Sequence, residues 1–99
     1  MSLQATSLLT AAHDYGTYKN ISASSLVETG SGTLQGLIIN SHTNGTIKFW
    51  DNTSAATTVL CNTITLAATE RWIPLFGAKF VKGLYATIGG VADVTIIYN

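Results

Sequence analysis

The chain has 99 residues, enough for one domain with one hydrophobic core, and 46% of them are apolar. Five residues are Lys or Arg and five are Asp or Glu, for a formal net charge of +0, whereas an ordinary domain of this length carries roughly 25 charged residues. This composition excludes the clustered basic footprint of a nucleic-acid-binding protein, and the absence of an apolar run of about 18 residues excludes a membrane-spanning helix.

The first 17 residues are predicted to form an N-terminal arm ahead of a β-domain at 18–99. The segment 1–12 (MSLQATSLLTAA) has neither the positive start nor the long apolar stretch of a secretory signal. Residues 5–15 carry no capping residue followed by a helical period, so at most one helical turn is expected there.

From residue 18 onwards, short pieces rich in β-branched and aromatic residues alternate with Gly, Asn and Ser clusters. This pattern is typical of an all-β domain. About eight short antiparallel strands, in a β-sandwich or jelly-roll-like arrangement, are predicted at 18–22, 25–29, 32–40, 46–51, 58–66, 71–76, 80–88 and 93–98.

Three tight turns are predicted between these strands, at Asn44-Gly45, Gly77 and Gly89-Gly90. The last three strands would then form a meander. Pro74 cannot donate a backbone hydrogen bond, so its strand is predicted to lie at a sheet edge or to contain a bulge.

Some strands are apolar on both faces, notably 37–39, 72–76 and 96–98. In a small antiparallel sandwich, one face of each sheet normally meets water. We therefore expect part of the outer surface to be covered, either by another subunit or by the N-terminal arm.

The residues from which a catalytic or metal site could be assembled are few and scattered. There is no nucleophile elbow and no set of three closely spaced metal ligands. We therefore expect a non-enzyme without catalytic residues, metal or cofactor, although the side chains with suitable chemistry are His13, Asp14, His42, Asp51 and Cys61.

Trp50 offers an alternative binding function, because an aromatic face complements the apolar face of a sugar. Asp51 and Asn52 follow it and have polar groups suited to sugar hydroxyls. The competing interpretation is that Trp50 and Trp72 fill the core or a subunit interface, where aromatic residues are enriched.

Four segments of the chain resemble motifs of small β-rich proteins of tailed bacteriophages: 27–40 (VETGSGTLQGLIIN), 46–52 (TIKFWDN), 83–87 (GLYAT) and 93–98 (DVTIIY). In that group a TGxGxLxGxxxN strand pair, an xxxDN strand end and a closing xVTVxY strand recur. The resemblance implies a virion component, most plausibly a capsid decoration or cement protein. Trimers of such proteins commonly sit over junctions between major capsid proteins.

The sequence therefore predicts a structural virion protein on the capsid surface, with itself, as a homotrimer, and the major capsid protein as partners. Self-association is predicted to use Trp72, Ile73, Leu75 and Phe76, and capsid attachment to use Leu3, Leu8 and Leu9. The alternatives are a carbohydrate- or receptor-binding module of a tail or fibre, and a head-to-tail or tail-tube component.

Overall fold

The computed structural model describes residues 16–69 and 71–99, which form an antiparallel sheet of six strands and contain no helix, and so none that could cross a membrane. The predicted all-β antiparallel class is confirmed.

Leu3, Leu8, Leu9, His13 and Asp14 lie outside the described residues. The strands are β1 (Thr17–Ile21), β2 (Ser25–Thr29), β3 (Gly32–Trp50), β4 (Val59–Thr65), β5 (Trp72–Phe80) and β6 (Gly83–Tyr98).

Two of the predicted turns are β-bulges inside long strands, so the prediction of separate hairpins was wrong. Asn44, with φ 50°, lies in β3, and Gly90, with φ 67°, lies opposite it in β6. The pairing runs to Thr43 with Val91 and resumes at Thr46 with Gly89. Left-handed φ therefore occurs at both predicted turns, but it accommodates an extra residue in the strand pairing rather than a chain reversal.

The third predicted turn is also a bulge, at Phe76 and Gly77 of β5, where φ is 58° and 72°. The pairing of β3 with β5 skips there from Ala78 to Pro74. Among the strands of residues 16–69 and 71–99, β5 pairs with β3 alone, so the predicted edge position of Pro74 is confirmed. The predicted meander was wrong, because β5 and β6 follow one another in the chain but do not pair.

The long strands β3 and β6 pair with each other, and each has two short strands on its other side. We define half A as β1, 91–98 of β6, 32–43 of β3, and β5. Half B consists of β2, 83–89 of β6, 46–50 of β3, and β4. The bulge at Asn44 and Gly90 separates the two halves.

β3 is sharply bent. Nineteen residues would extend to roughly 60 Å as a straight strand. Gly32 at one end pairs with Phe80, while the carboxylate of Asp51, just past the other end, accepts a 2.9 Å hydrogen bond from the backbone N–H of Val81. Since Phe80 and Val81 are consecutive, both ends of β3 lie at the same end of the molecule.

Alternate residues of the long strands build one core. Along β6 the buried side chains are at even positions, from Leu84 to Tyr98. Most of their partners in β3 are buried too, for example Leu37 with Ile96 and Phe49 with Ala86. Side chains from both halves belong to the same hydrophobic cluster, and full burial of each large member stabilises the fold by about 2 kcal/mol.

His42 fastens the central bulge. Its Nδ1 accepts the backbone N–H of Gly45 at 3.3 Å, which leaves the ring proton on Nε2. That nitrogen donates to the backbone oxygen of Ala67 at 2.9 Å. The ring thus joins β3 to the segment that follows β4, and its neutral tautomer satisfies both partners.

Candidate interaction surface

Half A exposes an apolar sheet face on the side opposite the core. Cross-strand partners share a face, so two rows of side chains run across β1, β6, β3 and β5. We call this surface outer face A and define it by Tyr18, Asn20, Ile38, Trp72, Pro74, Thr95 and Ile97. None of these seven residues carries a charge.

The large side chains of outer face A are more exposed than is usual for their types. Tyr18 is 72% exposed, Trp72 45% and Ile38 40%. Trp72 pairs with Ile38, and Tyr18 pairs with Ile97. A contiguous apolar patch of this kind is typical of a protein-protein contact.

The indole of Trp72 lies across the backbone of Gly36. A Cβ atom at residue 36 would be 2.5 Å from the Trp72 ring and 2.5 Å from the backbone oxygen of Ile73. Gly36 is therefore a point of close approach between β3 and β5. Because glycine occupies this position, the indole lies low over the sheet and contributes a broad apolar surface.

Phe76 projects from the bulge of β5 at the edge of half A, two residues after Pro74. Its side chain is 87% exposed, and its φ of 58° is left-handed. A bulky residue with left-handed φ is a true outlier and is strained by about 1 to 2 kcal/mol. Exposed aromatic surface together with backbone strain is typical of a residue retained for contact with a partner.

A polar cluster borders outer face A where β1, β6 and β3 run side by side. The carboxylate of Asp93 accepts hydrogen bonds from the side-chain amides of Asn20, at 2.7 Å, and Asn40, at 2.9 Å. These two hydrogen bonds lower the pKa of the Asp93 carboxyl below its ordinary value. Both amides also reach Thr95 Oγ1, so the cluster is ordered without a partner.

The four residues predicted for self-association divide between surface and core. Trp72 and Phe76 are exposed, whereas Ile73 is buried in the core and Leu75 is partly buried against it. The strand alternation of β5 separates Trp72 from Ile73. Tyr18 was not predicted as a contact residue, although 37–39 and 96–98 were predicted to be apolar on both faces.

Trp50, the proposed sugar-stacking residue, lies on the outward side of half B, and neighbouring side chains already contact its indole ring. Its Nε1–H donates to Thr87 Oγ1 at 3.4 Å. The Nζ atom of Lys48 lies 4.3 Å from the ring centroid, a cation–π contact that covers one face of the indole.

The polar groups beside Trp50 bind the protein's own backbone. Asp51 Oδ1 accepts the N–H groups of Val81, at 2.9 Å, and Lys82, at 2.8 Å. Asn52 donates to the backbone oxygen of Ala56 at 3.0 Å and accepts from the N–H of Thr53. These side chains hold the turns at the end of β3, so their atoms are engaged before any sugar binds.

Asp51 is expected to stabilise the fold in a pH-dependent way. Desolvation raises the pKa of its carboxyl, but hydrogen bonds from the backbone of Lys82, Val81 and Gly83 and the charge of Lys82 outweigh it and lower the pKa below its ordinary value. The stabilisation is therefore complete above the ordinary Asp pKa of about 3.9 and is lost as the pH falls through the lowered pKa.

Replacing Asp51 with alanine should lower the free energy of unfolding by about 1 to 2 kcal/mol at neutral pH, because two N–H groups lose their acceptor. The control is Asp51→Asn, which keeps an acceptor oxygen and removes the charge. Urea unfolding from pH 7 to pH 3 measures both variants. Equal pH dependence in Asp51→Asn and the unchanged protein would show that the Asp51 carboxylate does not contribute.

The remaining chemically active side chains are dispersed. Burial raises the pKa of the Cys61 thiol, which makes it a weaker nucleophile. Residues 16–69 and 71–99 contain neither a cavity nor a group of three or more His, Cys, Asp or Glu that could hold a metal ion.

Outer face A and Phe76 are thus the features with the clearest capacity for binding, and the partner they suit is an apolar protein surface. No family model, curated protein or solved structure matches this chain.

Proposed function

We propose that this chain is a non-enzymatic structural protein that self-associates through outer face A and Phe76 and decorates the head shell of a tailed bacteriophage. The observation that carries the proposal is the uncharged apolar face formed by Tyr18, Ile38 and Trp72, with the strained Phe76 beside it. In this proposal the oligomer is a trimer and its other partner is the major capsid protein.

The fold proposed for this function is a jelly-roll-like sandwich whose two layers are halves A and B. Supporting this view, both ends of β3 lie at the same end of the molecule, and one hydrophobic cluster contains side chains from both halves. Two layers would leave outer face A free for a partner, while their inner faces form the core.

The proposed mechanism is the addition of many modest contacts over the shell. A small protein with few charges gains affinity mainly by burying apolar area, with aromatic residues as anchors. A trimer engaging several shell subunits at once would bind more tightly than one copy, because the second and third contacts become intramolecular. Binding to the assembled shell alone would stabilise that state by mass action.

Replacing Phe76 with asparagine should have opposite effects on association and on folding. Loss of the exposed ring should weaken self-association by about 2 kcal/mol, roughly thirtyfold. The free energy of unfolding of the dilute monomer should rise by about 0.5 to 1 kcal/mol, because asparagine tolerates left-handed φ better. Sedimentation equilibrium and urea unfolding measure the two quantities.

The matched control is Val59→Asn, which removes another exposed apolar side chain, 43% accessible, from β4 in half B. It should leave self-association unchanged. If the unchanged chain stays monomeric at high concentration and does not bind phage heads, the proposal is abandoned.

Electron microscopy of phage particles carrying the protein tests its proposed location on the head shell. Three-fold density over the junctions of the shell would support the capsid proposal. Rings at the neck or along the tail would instead favour the head-to-tail or tail-tube alternative. Specific binding on a glycan array that disappears in Trp50→Ala would favour the carbohydrate-binding alternative.

A further inference from the structure

The Asn44-Gly45 pair brings together an amide, a backbone nucleophile and a base. Asn44 lies on the exposed side of the central bulge, with φ 50°. The N–H of the following residue, Gly45, donates to Nδ1 of His42 at 3.3 Å. The ring is held in place from its other side by the hydrogen bond from Nε2 to Ala67, 2.9 Å long.

We propose that Asn44 is a site of self-catalysed deamidation in the folded protein, with His42 as the general base. The substrate is the protein's own side-chain amide, and the co-reactant is water. The proposal is independent of the function assigned to outer face A.

The reaction has two balanced steps. In the first, the proton of the Gly45 N–H passes to His42 Nδ1, the nitrogen attacks Cγ of Asn44, and the side-chain amine leaves as ammonia after accepting that proton. The product is a five-membered succinimide. In the second, one water molecule opens the ring at either carbonyl, which gives aspartate or isoaspartate at residue 44.

Two observations favour this site. Glycine at residue 45 leaves the attacking nitrogen without a neighbouring side chain that would hinder ring closure. His42 Nδ1 already accepts a hydrogen bond from the N–H group that must lose its proton, and the N···N distance of 3.3 Å can shorten as the reaction proceeds.

Other asparagines lack this combination. Asn20, Asn40, Asn52 and Asn62 are followed by isoleucine, serine or threonine. The side-chain amides of Asn20 and Asn40 donate to Asp93, and that of Asn52 donates to Ala56. These four asparagines serve as internal controls in one experiment.

The test is incubation of the folded full chain in heavy-oxygen water at neutral pH, followed by peptide mapping by mass spectrometry. We expect isotope incorporation and isoaspartate at residue 44, with the four control asparagines intact. The variant His42→Gln keeps an acceptor for the Gly45 N–H but is not a base. It should react at least about tenfold more slowly, the low end of what a general base contributes.

A parallel incubation in concentrated urea distinguishes the contribution of the folded structure to the deamidation rate from that of the local sequence. There the unchanged chain and His42→Gln should react at the same rate, because His42 is no longer held against the nitrogen. Circular dichroism confirms that His42→Gln is folded in buffer. The proposal is overturned if residue 44 stays intact in the folded chain or if folded His42→Gln reacts as fast as the unchanged protein.

Discussion

Replacing Gly90 with alanine is expected to lower the free energy of unfolding by about 3 to 4 kcal/mol, the sum of backbone strain and overpacking. Gly90 has φ 67°, and a Cβ atom there would collide with the backbone oxygen of Asn44 and lie 3.2 Å from that of Thr43. Both obstacles are backbone atoms of β3, so no side chain can rotate to make room. Relief would require β3 and β6 to separate at the central bulge.

Gly30→Ala is the matched control for this substitution. Gly30 also has a left-handed φ, of 90°, but a Cβ atom there would have no neighbour within 4 Å. Only the conformational strain remains, so Gly30→Ala should lower the free energy of unfolding by about 1 to 2 kcal/mol. Urea unfolding of both variants isolates the steric part, and equal losses would mean that the strands separate at the bulge without resistance.

The second large effect is expected from lysine at two consecutive positions of β5. Ile73→Lys should lower the free energy of unfolding by about 4 kcal/mol or more, because a fully packed aliphatic side chain is lost and a charge enters the core. Trp72→Lys should leave the chain folded, since residue 72 lies on outer face A. It should abolish self-association, because a charge would enter the proposed contact.

Thermal unfolding, followed by circular dichroism, measures the stability of both variants. Light scattering measures their oligomeric state. The diagnostic result is an unfolded or strongly destabilised Ile73→Lys beside a folded, monomeric Trp72→Lys. If Trp72→Lys forms the same oligomer as the unchanged chain, outer face A is not the contact surface. A stable Ile73→Lys would contradict the placement of Ile73 in the core.

The strand segments could be predicted from the sequence because β-branched residues and turn formers alternate so regularly. The strand interruptions at Asn44-Gly45, Gly77 and Gly89-Gly90, where Asn44, Gly77 and Gly90 have left-handed φ, were predicted from their turn-forming residues. Their consequence was not, because an Asn-Gly or Gly-Gly pair permits either a reversal or a bulge. The choice depends on the partner strand, which is distant in sequence.

The candidate surface was only partly predictable for the same reason. Alternation within 72–76 separates Trp72 from Ile73 only when the core side is known, and that side is defined by the pairing of Ile73 with Leu37. The role of Asp51 was missed because its backbone partners, Val81 and Lys82, lie 30 and 31 positions later. Trp50 was predicted as a sugar-stacking residue, but the contact of Lys48 with its ring was not foreseen.

The late position of β6 in the chain has a consequence for folding kinetics. β1 and β2 pair with β6, and β6 is also the longest partner of β3, yet β6 begins only at Gly83. Nearly every strand pairing therefore closes a long loop, a topology of high contact order that folds in roughly milliseconds to seconds. A ribosome-bound chain that has not emerged beyond residue 83 lacks the partner strand of β1 and β2 and one partner of β3, so we expect these pairings to form only after β6 has been synthesised.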